Sequence, residues 1–380
     1  MRNIAIFTGV DIRTFGGGER YAIELANRLK NSNVTIFSNI EKNNRLTSED
    51  IRGMLHDNVK LKFYKTIKLP VFKILPLNYS FLKSISEIKN FDVVYNMDQY
   101  FPITNLGILI VCKLFRKKYV LGIHNPDFFA DRANNPSLIK NIIFPIYSFF
   151  RSMIVSAIAN IHVINNDDVL KLKEWHYEGK VYYIPHFSYK ISKKTENNSK
   201  KFIALFVGRL HIRHKGLDLL SKIIEDVLNK NKKIIFHIVG CGEDGEHLIR
   251  TLAQKYPKNV KWFGFLSDKK LDYEYKKSSI FVFPSRIESF GLTLLEAQSN
   301  GLPAIAFNVK GPSSIMAKQY QGRIIESFNT DQFSNMILKY YKLWKNKGYY
   351  TLKKKIARNI KENYGYEALE PKINELFSTY

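Results

Sequence analysis

Phe281-Val-Phe-Pro284-Ser-Arg-Ile-Glu288-Ser-Phe-Gly291-Leu-Thr-Leu-Leu-Glu296-Ala-Gln-Ser-Asn-Gly301-Leu-Pro303 is the stretch whose reading decides the fold. It opens as a β-branched and aromatic run that Pro284 ends, the pattern of a buried strand. A loop carries the chain through Glu288, and the spacing predicts a helix from about Gly291 to Asn300, stopped by Gly301 and Pro303. At ~100° per residue the two glutamates would lie about 80° apart if the whole stretch were helical, and a loop leaves Glu288 free to turn further inward. Between them lie the backbone N–H groups of Phe290, Gly291, Leu292 and Thr293. A helix N-terminus offers unpaired donors and a partial positive charge to a diphosphate. A carboxylate accepts two hydrogen bonds from a vicinal diol, so one acid suits sugar hydroxyls and the other a ribose. The bland alternative is an ordinary strand–loop–helix unit with two solvated glutamates.

The residues before this stretch alternate in the same way. Phe202 to Val207 reads as a strand, followed by Gly208-Arg209-Leu210-His211-Ile-Arg213-His214-Lys215-Gly216 and a helix from Leu217 to about Asn229. An Arg and a Lys six apart on a loop after a parallel strand converge on one phosphate pair, the Arg as a planar fork and the Lys as a point charge. Exposed basic loop residues are the alternative. Ile234 to Val239 is a strand ending in Gly240-Cys241-Gly242-Glu243-Asp244-Gly245, formally G-x-G-x-x-G. A dinucleotide fingerprint opens the first β-α-β unit and has an acid near the end of the next strand. Here Val260 to Phe263 runs into Gly264-Phe265-Leu266 with no acid. His211 and His214 lack a third ligand nearby in sequence, so no metal site is expected.

The amino-terminal half repeats the pattern. Residues 2–9 form a strand, Gly16-Gly17-Gly18-Glu19-Arg20 a glycine-rich loop, Tyr21 to Lys30 a helix and Val34 to Ser38 a strand. No Gly-Lys-Ser/Thr follows, which excludes a P-loop. Lys118 to Ile123 is a strand delivering His124 to the carboxyl end of the sheet, where functional side chains gather, although a lone histidine is commonly structural. The predicted class is α/β, two Rossmann-like doubly wound parallel-sheet domains. The expected organisation is a domain over 1–190, a polar linker over 191–201, a domain over 202–360 and a terminal helix over 361–380. Residues 40–90 interleave lysines with Leu69, Phe72, Leu75, Phe81 and other apolar residues, consistent with an interfacial segment or with a packed strand and helix. Ile142 to Ile158 is apolar but broken by Pro145 and Arg151, so it reads as a buried helix and not a membrane span.

The 380 residues suffice for two cores, and 45% hydrophobic with 24% charged residues are ordinary globular values. Cys112 and Cys241 form no framework, which fits a reducing cytoplasm. The amino-terminal apolar run is too short for a signal peptide and reads as the first strand. The net charge of +25 is the unusual number. No helix-turn-helix, RNA-binding aromatic pair or zinc-finger spacing accompanies it, which argues against specific nucleic-acid binding and leaves anionic substrates, an anionic membrane surface or solvated lysines.

Pro-Ser-x-x-Glu-Ser-Phe-Gly-Leu-Thr-Leu-Leu-Glu-Ala resembles the carboxyl-terminal signature of the retaining glycosyltransferases of family 4, group 1 enzymes of GT-B architecture. Gly208-Arg209-Leu210 with Lys215-Gly216 is similar to that family's phosphate-binding pair, and Gly16 to Arg20 to its Gly-Gly-x-Glu-Arg loop. The resemblance implies two Rossmann-like domains facing a cleft, with the terminal helix crossing back to the first domain. It implies that His124 contacts the transferred sugar, Glu288 holds sugar hydroxyls, Glu296 holds the ribose, and Arg209 and Lys215 neutralise the leaving diphosphate. Gly16, Gly17, Gly18, Gly240, Gly242, Phe265, Leu266, Phe290, Gly291, Leu292 and Thr293 complete the expected donor site. The implied reaction is front-face, retaining transfer from a nucleotide-diphosphate sugar, UDP-sugar favoured, to a glycan or lipid-linked acceptor. No cofactor or metal is expected, and no Asp-x-Asp occurs in the chain. The setting expected is cytoplasmic, with a peripheral place on the inner membrane face and a role in surface polysaccharide or glycolipid synthesis. Another GT-B enzyme (a nucleotide-sugar epimerase or a phosphorylase) and a basic nucleic-acid or membrane adaptor are the alternatives.

Overall fold

The computed structural model describes residues 1–41, 46–65, 78–98, 102–124, 152–189, 199–326, 328–346 and 348–379. The chain forms two compact units, Met1–Pro185 together with Glu370–Tyr380, and His186–Leu369.

The first unit is built on seven strands: β1 (Arg2–Thr8), β2 (Ser32–Asn39), β3 (Val59–Tyr64), β4 (Val93–Asp98), β5 (Lys118–Ile123), β6 (Asn160–Val163) and β7 (Lys180–Tyr183). They pair in parallel in the order β3-β2-β1-β4-β5-β6-β7, so the winding reverses between β1 and β4. Every residue of β5 and β6 is buried, as parallel strands covered on both faces require. The core joins Phe7, Phe37, Tyr64, Phe81 and Phe91 to Leu121, Ile161 and Leu172.

β3 supplies the packed strand that the sequence left open for this stretch beside an interfacial segment. Its burial runs buried, exposed, intermediate, exposed, intermediate, buried, the alternation of an edge strand, with Lys60 and Lys62 turned outward. Lys62 Nζ pairs with Glu87 at 2.5 Å, so this lysine serves the fold. The helix Tyr79–Ser86 follows, its first turn capped by the Asn78 side chain. The apolar run from Leu69 to Leu77, the residues after His124 through Arg132, and 142–151 of the expected buried helix lie outside the described residues. Among the described residues no helix is long and apolar enough to cross a membrane.

The second unit carries β8 (Ile203–Val207), β9 (Ile235–Val239), β10 (Val260–Trp262), β11 (Ile280–Phe283), β12 (Ala304–Phe307) and β13 (Gly322–Ile325). All are parallel, in the order β10-β9-β8-β11-β12-β13, and the winding reverses between β8 and β11. β8, β11 and β12 are buried at every position. The helix Leu217–Lys230 lays Leu220, Ile223, Ile224 and Val227 against Phe206, Phe236 and Ile305.

The boundary falls earlier than the expected 190. His186 packs at a tilt against Phe290 at 5.0 Å, the Ser188 N–H donates to the Tyr364 carbonyl at 2.7 Å, and Ser188 Oγ lies 2.6 Å from Ser299 Oγ. These contacts assign 186–189 to the second unit. Most of the expected linker, 191–198, is outside the described residues. The last helix, Tyr366–Leu376, starts in the second unit and ends in the first, where Phe377 is buried and Glu375 pairs with Lys180 at 2.8 Å.

Candidate active site

In an open parallel sheet the loops at the reversal point diverge and leave room for a ligand. In the second unit these are the loops after β8 and β11, and both bear charge. The loop after β8 is not wholly irregular, since Ile212–Lys215 forms a short helical turn closed by Gly216 at φ 64°. A Cβ at Gly216 would lie 2.1 Å from the Pro284 carbonyl oxygen, so only glycine lets this turn touch the β11 loop. The N–H groups of Arg286 and Ile287 both donate to the His214 carbonyl, at 2.9 and 3.2 Å. The Arg286 guanidinium grips Asp218 in a two-point pair at 2.7 and 2.6 Å. Its hydrogen bonds hold the Asp218 carboxyl below the usual carboxylate range.

This stitching brings Lys215 to Glu288. Their Nζ and Oε2 atoms are 2.5 Å apart, both side chains are about four-fifths buried, and Nζ lies 5.6 Å above the Phe283 ring. An ammonium has three N–H donors and Glu288 takes one, which leaves two for phosphate oxygens. Glu288 is held from behind as well, because its carbonyl accepts from the Gly311 N–H at 3.3 Å.

The helix that follows β11 runs from Leu292 to Ser299, with Gly291 as its N-cap at φ 98°. The amides of Leu292 and Thr293 therefore belong to its first turn, whose N–H groups have no partner within the helix. Glu296 is half-buried and accepts from the Tyr275 hydroxyl at 2.9 Å. Among the described residues no group of three or more His, Cys, Asp or Glu is placed to hold a metal ion.

In the first unit, the expected glycine loop is shorter than the sequence suggested. Gly16 is the N-cap of a helix Gly17–Arg28, so Gly17 and Gly18 are its first turn. A Cβ at Gly16 would lie 2.5 Å from Glu19 Oε2, which shows the Glu19 carboxylate folded back over the cap as a capping-box acid does. His124 follows β5 directly and is 8% exposed. Its Nε2 lies 2.6 Å from the Tyr95 hydroxyl, and its ring packs 5.4 Å from Tyr21.

Residues 188–363 match the family model of the group 1 glycosyl transferases. An uncharacterized glycosyltransferase of Methanocaldococcus jannaschii is 27% identical over 98% of this chain and 97% of its own. An O-antigen biosynthesis glycosyltransferase of Escherichia coli is 24% identical over 73% of this chain and 86% of its own. By this match and these relatives the chain is a glycosyltransferase. The structure of Anabaena HepE in complex with UDP resembles the transferase over 100% of both chains, with a TM-score of 0.76 at 13% identity, which establishes the two-domain GT-B fold. The named relatives are transferases, and none is the epimerase, phosphorylase or adaptor kept as an alternative.

Of the residues expected to form the transferase's donor site, Lys215 and Glu288 are in direct contact and Gly291, Leu292 and Thr293 open the next helix. Phe290 is buried between His186 and Tyr364, so its ring serves packing. Arg209 shares the β8 loop and is exposed, and its carbonyl accepts from the His211 N–H at 2.8 Å. Phe265 is 57% exposed at the end of β10 and Leu266 is half-buried beside it. The glycines of the G-x-G-x-x-G run have a structural role. A Cβ at Gly240 (φ 135°) would lie 1.8 Å from the Gly208 carbonyl oxygen, and one at Gly242 would lie 2.6 Å from that of Leu210. They let the β9 loop press backbone to backbone against the β8 loop.

Asp218, Arg286, Tyr275 and Gly311 were not singled out. Asp218 and Arg286 were findable, since each lies within three residues of a chosen site residue on loops assigned to the same sheet edge. Tyr275 and Gly311 act through contacts that no local pattern encodes.

Proposed function

We propose that the transferase moves a sugar from a UDP-sugar to a hydroxyl of a glycan or lipid-linked glycan, with retention at the anomeric carbon and without a divalent cation, in the synthesis of surface polysaccharide. The observation that carries this reading is the Lys215–Glu288 contact at the reversal point of the second sheet, 2.5 Å across and partly withdrawn from water. Lys215, with Arg209 on the same loop and the first-turn amides of Leu292 and Thr293, supplies positive potential for a leaving diphosphate. Glu288 directs its remaining lone pairs at sugar hydroxyls, and Glu296 accepts from the ribose. The acceptor hydroxyl attacks on the face the diphosphate leaves. The carbon–oxygen bond to phosphate breaks as the bond to the acceptor forms, and the hydroxyl proton departs with a phosphate oxygen.

The UDP bound by HepE and the O-antigen role of the E. coli relative support the donor and the pathway class. Retention is supported by the resemblance to family 4. Cation independence is supported by the cationic groups at hand and by the lack of an Asp-x-Asp pair in the sequence. A site on the inner membrane face draws on the +25 charge.

The test is transfer from UDP-sugars with product anomers read by NMR. Glu288→Ala is expected to lower kcat by about 10²- to 10³-fold, the cost of losing a preorganised polar group. It leaves Lys215 all three donors, so UDP binding by thermal shift persists. Glu296→Ala is expected to weaken UDP itself. An inverted product, or a strict loss of activity in EDTA, overturns the proposal.

A further inference from the structure

The helices Tyr79–Ser86 and Pro102–Leu114 lie side by side on one face of the first sheet. Both turn their buried residues to a single core, Phe81 and Ile85 from one and Ile108, Leu109 and Cys112 from the other. Gly107 marks where they meet, since a Cβ there would lie 3.8 Å from the Phe81 ring. Their outward faces therefore make one surface, and much of it is apolar. Leu106, Ile110 and Leu114 recur every fourth residue, a step of ~40° around the helix, so they line one side of it. All three are exposed, Leu114 by 73%. Phe115, just past the helix, is exposed as well, and Tyr79 (79% exposed) and Leu82 stand on the neighbouring helix. Single exposed apolar residues are ordinary, but a group of them on two adjoining helices marks a surface that meets a partner.

The charge around this patch says which partner. Neither helix carries an acidic residue. Lys83 and Lys113 stand exposed among the apolar side chains, and Arg116 and Lys117 follow Phe115. Glu87, directly after the first helix, is paired with Lys62. A second copy of the chain set face to face here would bring these cations against their own equals. An anionic lipid surface matches both components at once. Headgroup phosphates meet the cations, whose aliphatic stems lie along the apolar stripe, and the acyl region receives the leucines and the isoleucine. Tyr79 is of the type that sits at headgroup level.

We propose that this face of the first unit docks on an anionic lipid bilayer, with Ile110 and Leu114 among the acyl chains and Lys83 and Lys113 against headgroup phosphates. Docking of this kind rests on the membrane-side reading of the acceptor. It differs from attraction by the +25 charge as a whole in being local and in having an apolar part. The helix Pro102–Leu114 starts beyond the carboxyl end of β4, at the sheet edge that also bears His124. A bilayer along that helix therefore keeps this edge near the headgroups, where a lipid-linked acceptor presents its sugar.

The test is co-sedimentation of the full-length protein with vesicles of phosphatidylcholine alone or of an equal mixture of phosphatidylcholine and phosphatidylglycerol. Wild type is expected to bind the mixture and not the neutral vesicles. Ile110→Ser with Leu114→Ser is expected to lower the association constant at least about tenfold, at low and high salt alike. UDP binding by thermal shift stays unchanged in that variant, as the sign of a folded protein. Lys83→Ala and Lys113→Ala are each expected to lower association about fivefold, an effect that fades as salt is added. Lys339→Ala with Lys342→Ala, on the helix Thr330–Trp344 of the second unit, is expected to change nothing. Leu114→Trp gives an independent reading that needs no loss of binding, a blue-shifted emission quenched by lipids brominated on their acyl chains. Three results would show that wild type binds the mixture through some other face: full binding by the serine variant, an equal loss in the Lys339 and Lys342 variant, or an unquenched tryptophan. The docking surface is then refuted while the membrane-side reading stands. If wild type binds neither vesicle, or the serine variant instead abolishes a self-association seen by sedimentation velocity, both fall.

Discussion

The two sheets reverse their winding at equivalent places, between β1 and β4 in one unit and between β8 and β11 in the other, yet the chemistry gathered near these points is opposite. The second unit presents charge: Lys215 against Glu288 and Arg286 against Asp218, on loops that remain partly exposed. The first presents a buried, hydrogen-bonded row of His124, Tyr95 and His162. The closures differ too. At Gly240 the absent side chain admits a neighbouring backbone, whereas at Gly122 it admits the tip of a tyrosine. One topology thus supports two kinds of site, because the sheet specifies only where loops end and the residues on them decide what a ligand meets.

Breaking each closure is the strongest way to separate the two. Gly240→Ala places a Cβ 1.8 Å from a carbonyl that cannot rotate away, at a φ of 135°. A loss above about 4 kcal/mol is expected, seen as failure of the second unit to unfold cooperatively in urea. Gly122→Ala meets side-chain atoms that can shift, so its expected cost is smaller, about 1 to 3 kcal/mol. Equal losses would erase the distinction.

Acid separates the units next. His162 has a folded value of about 4 against 6.5 for the free imidazole. Between those values the unfolded chain binds the extra proton, so this contribution is whole above pH 6.5 and is lost as pH falls towards 4. The loss amounts to about 3 kcal/mol for a fully buried group. His162→Asn is expected to flatten that part of the urea-stability profile. An unchanged slope would mean that His162 does not govern the acid response.

Salt gives the smallest effect. The Asp218–Arg286 pair is partly exposed, so Asp218→Asn is expected to cost at most about 1 kcal/mol, diminishing as salt is added. Because the Asp218 value is lowered, its contribution is present above the ordinary Asp value of 3.8 and is lost only as pH falls below that. It therefore adds no slope in the window where His162 titrates.

Much of the second unit was legible because its signals are local. Strand runs such as Ile203–Val207 and Ile280–Phe283 are apolar throughout, and Gly291 and Gly301 bracket the helix between them. The edge strand Val59–Tyr64 stayed open against an interfacial segment because its lysines mask a period of two, and the start of the first helix was misplaced because a triple glycine imitates a loop. Among candidate site residues, Lys215, Glu288 and His124 were singled out from their places after strands. Asp218, Arg286, Tyr95 and His162 were not, since each acquires its role from a partner 29 to 68 positions away.

Residue order alone therefore settled the alternation of strands and helices and the two-domain class, because hydrophobic period and turn residues act over a few neighbours. Only the folded chain decided that Lys215 meets Glu288, that Gly240 is a packing glycine, and that a tyrosine passes the gap at Gly122 to reach His124 and His162. Those outcomes depend on strand order and register, which bring distant residues within hydrogen-bonding range.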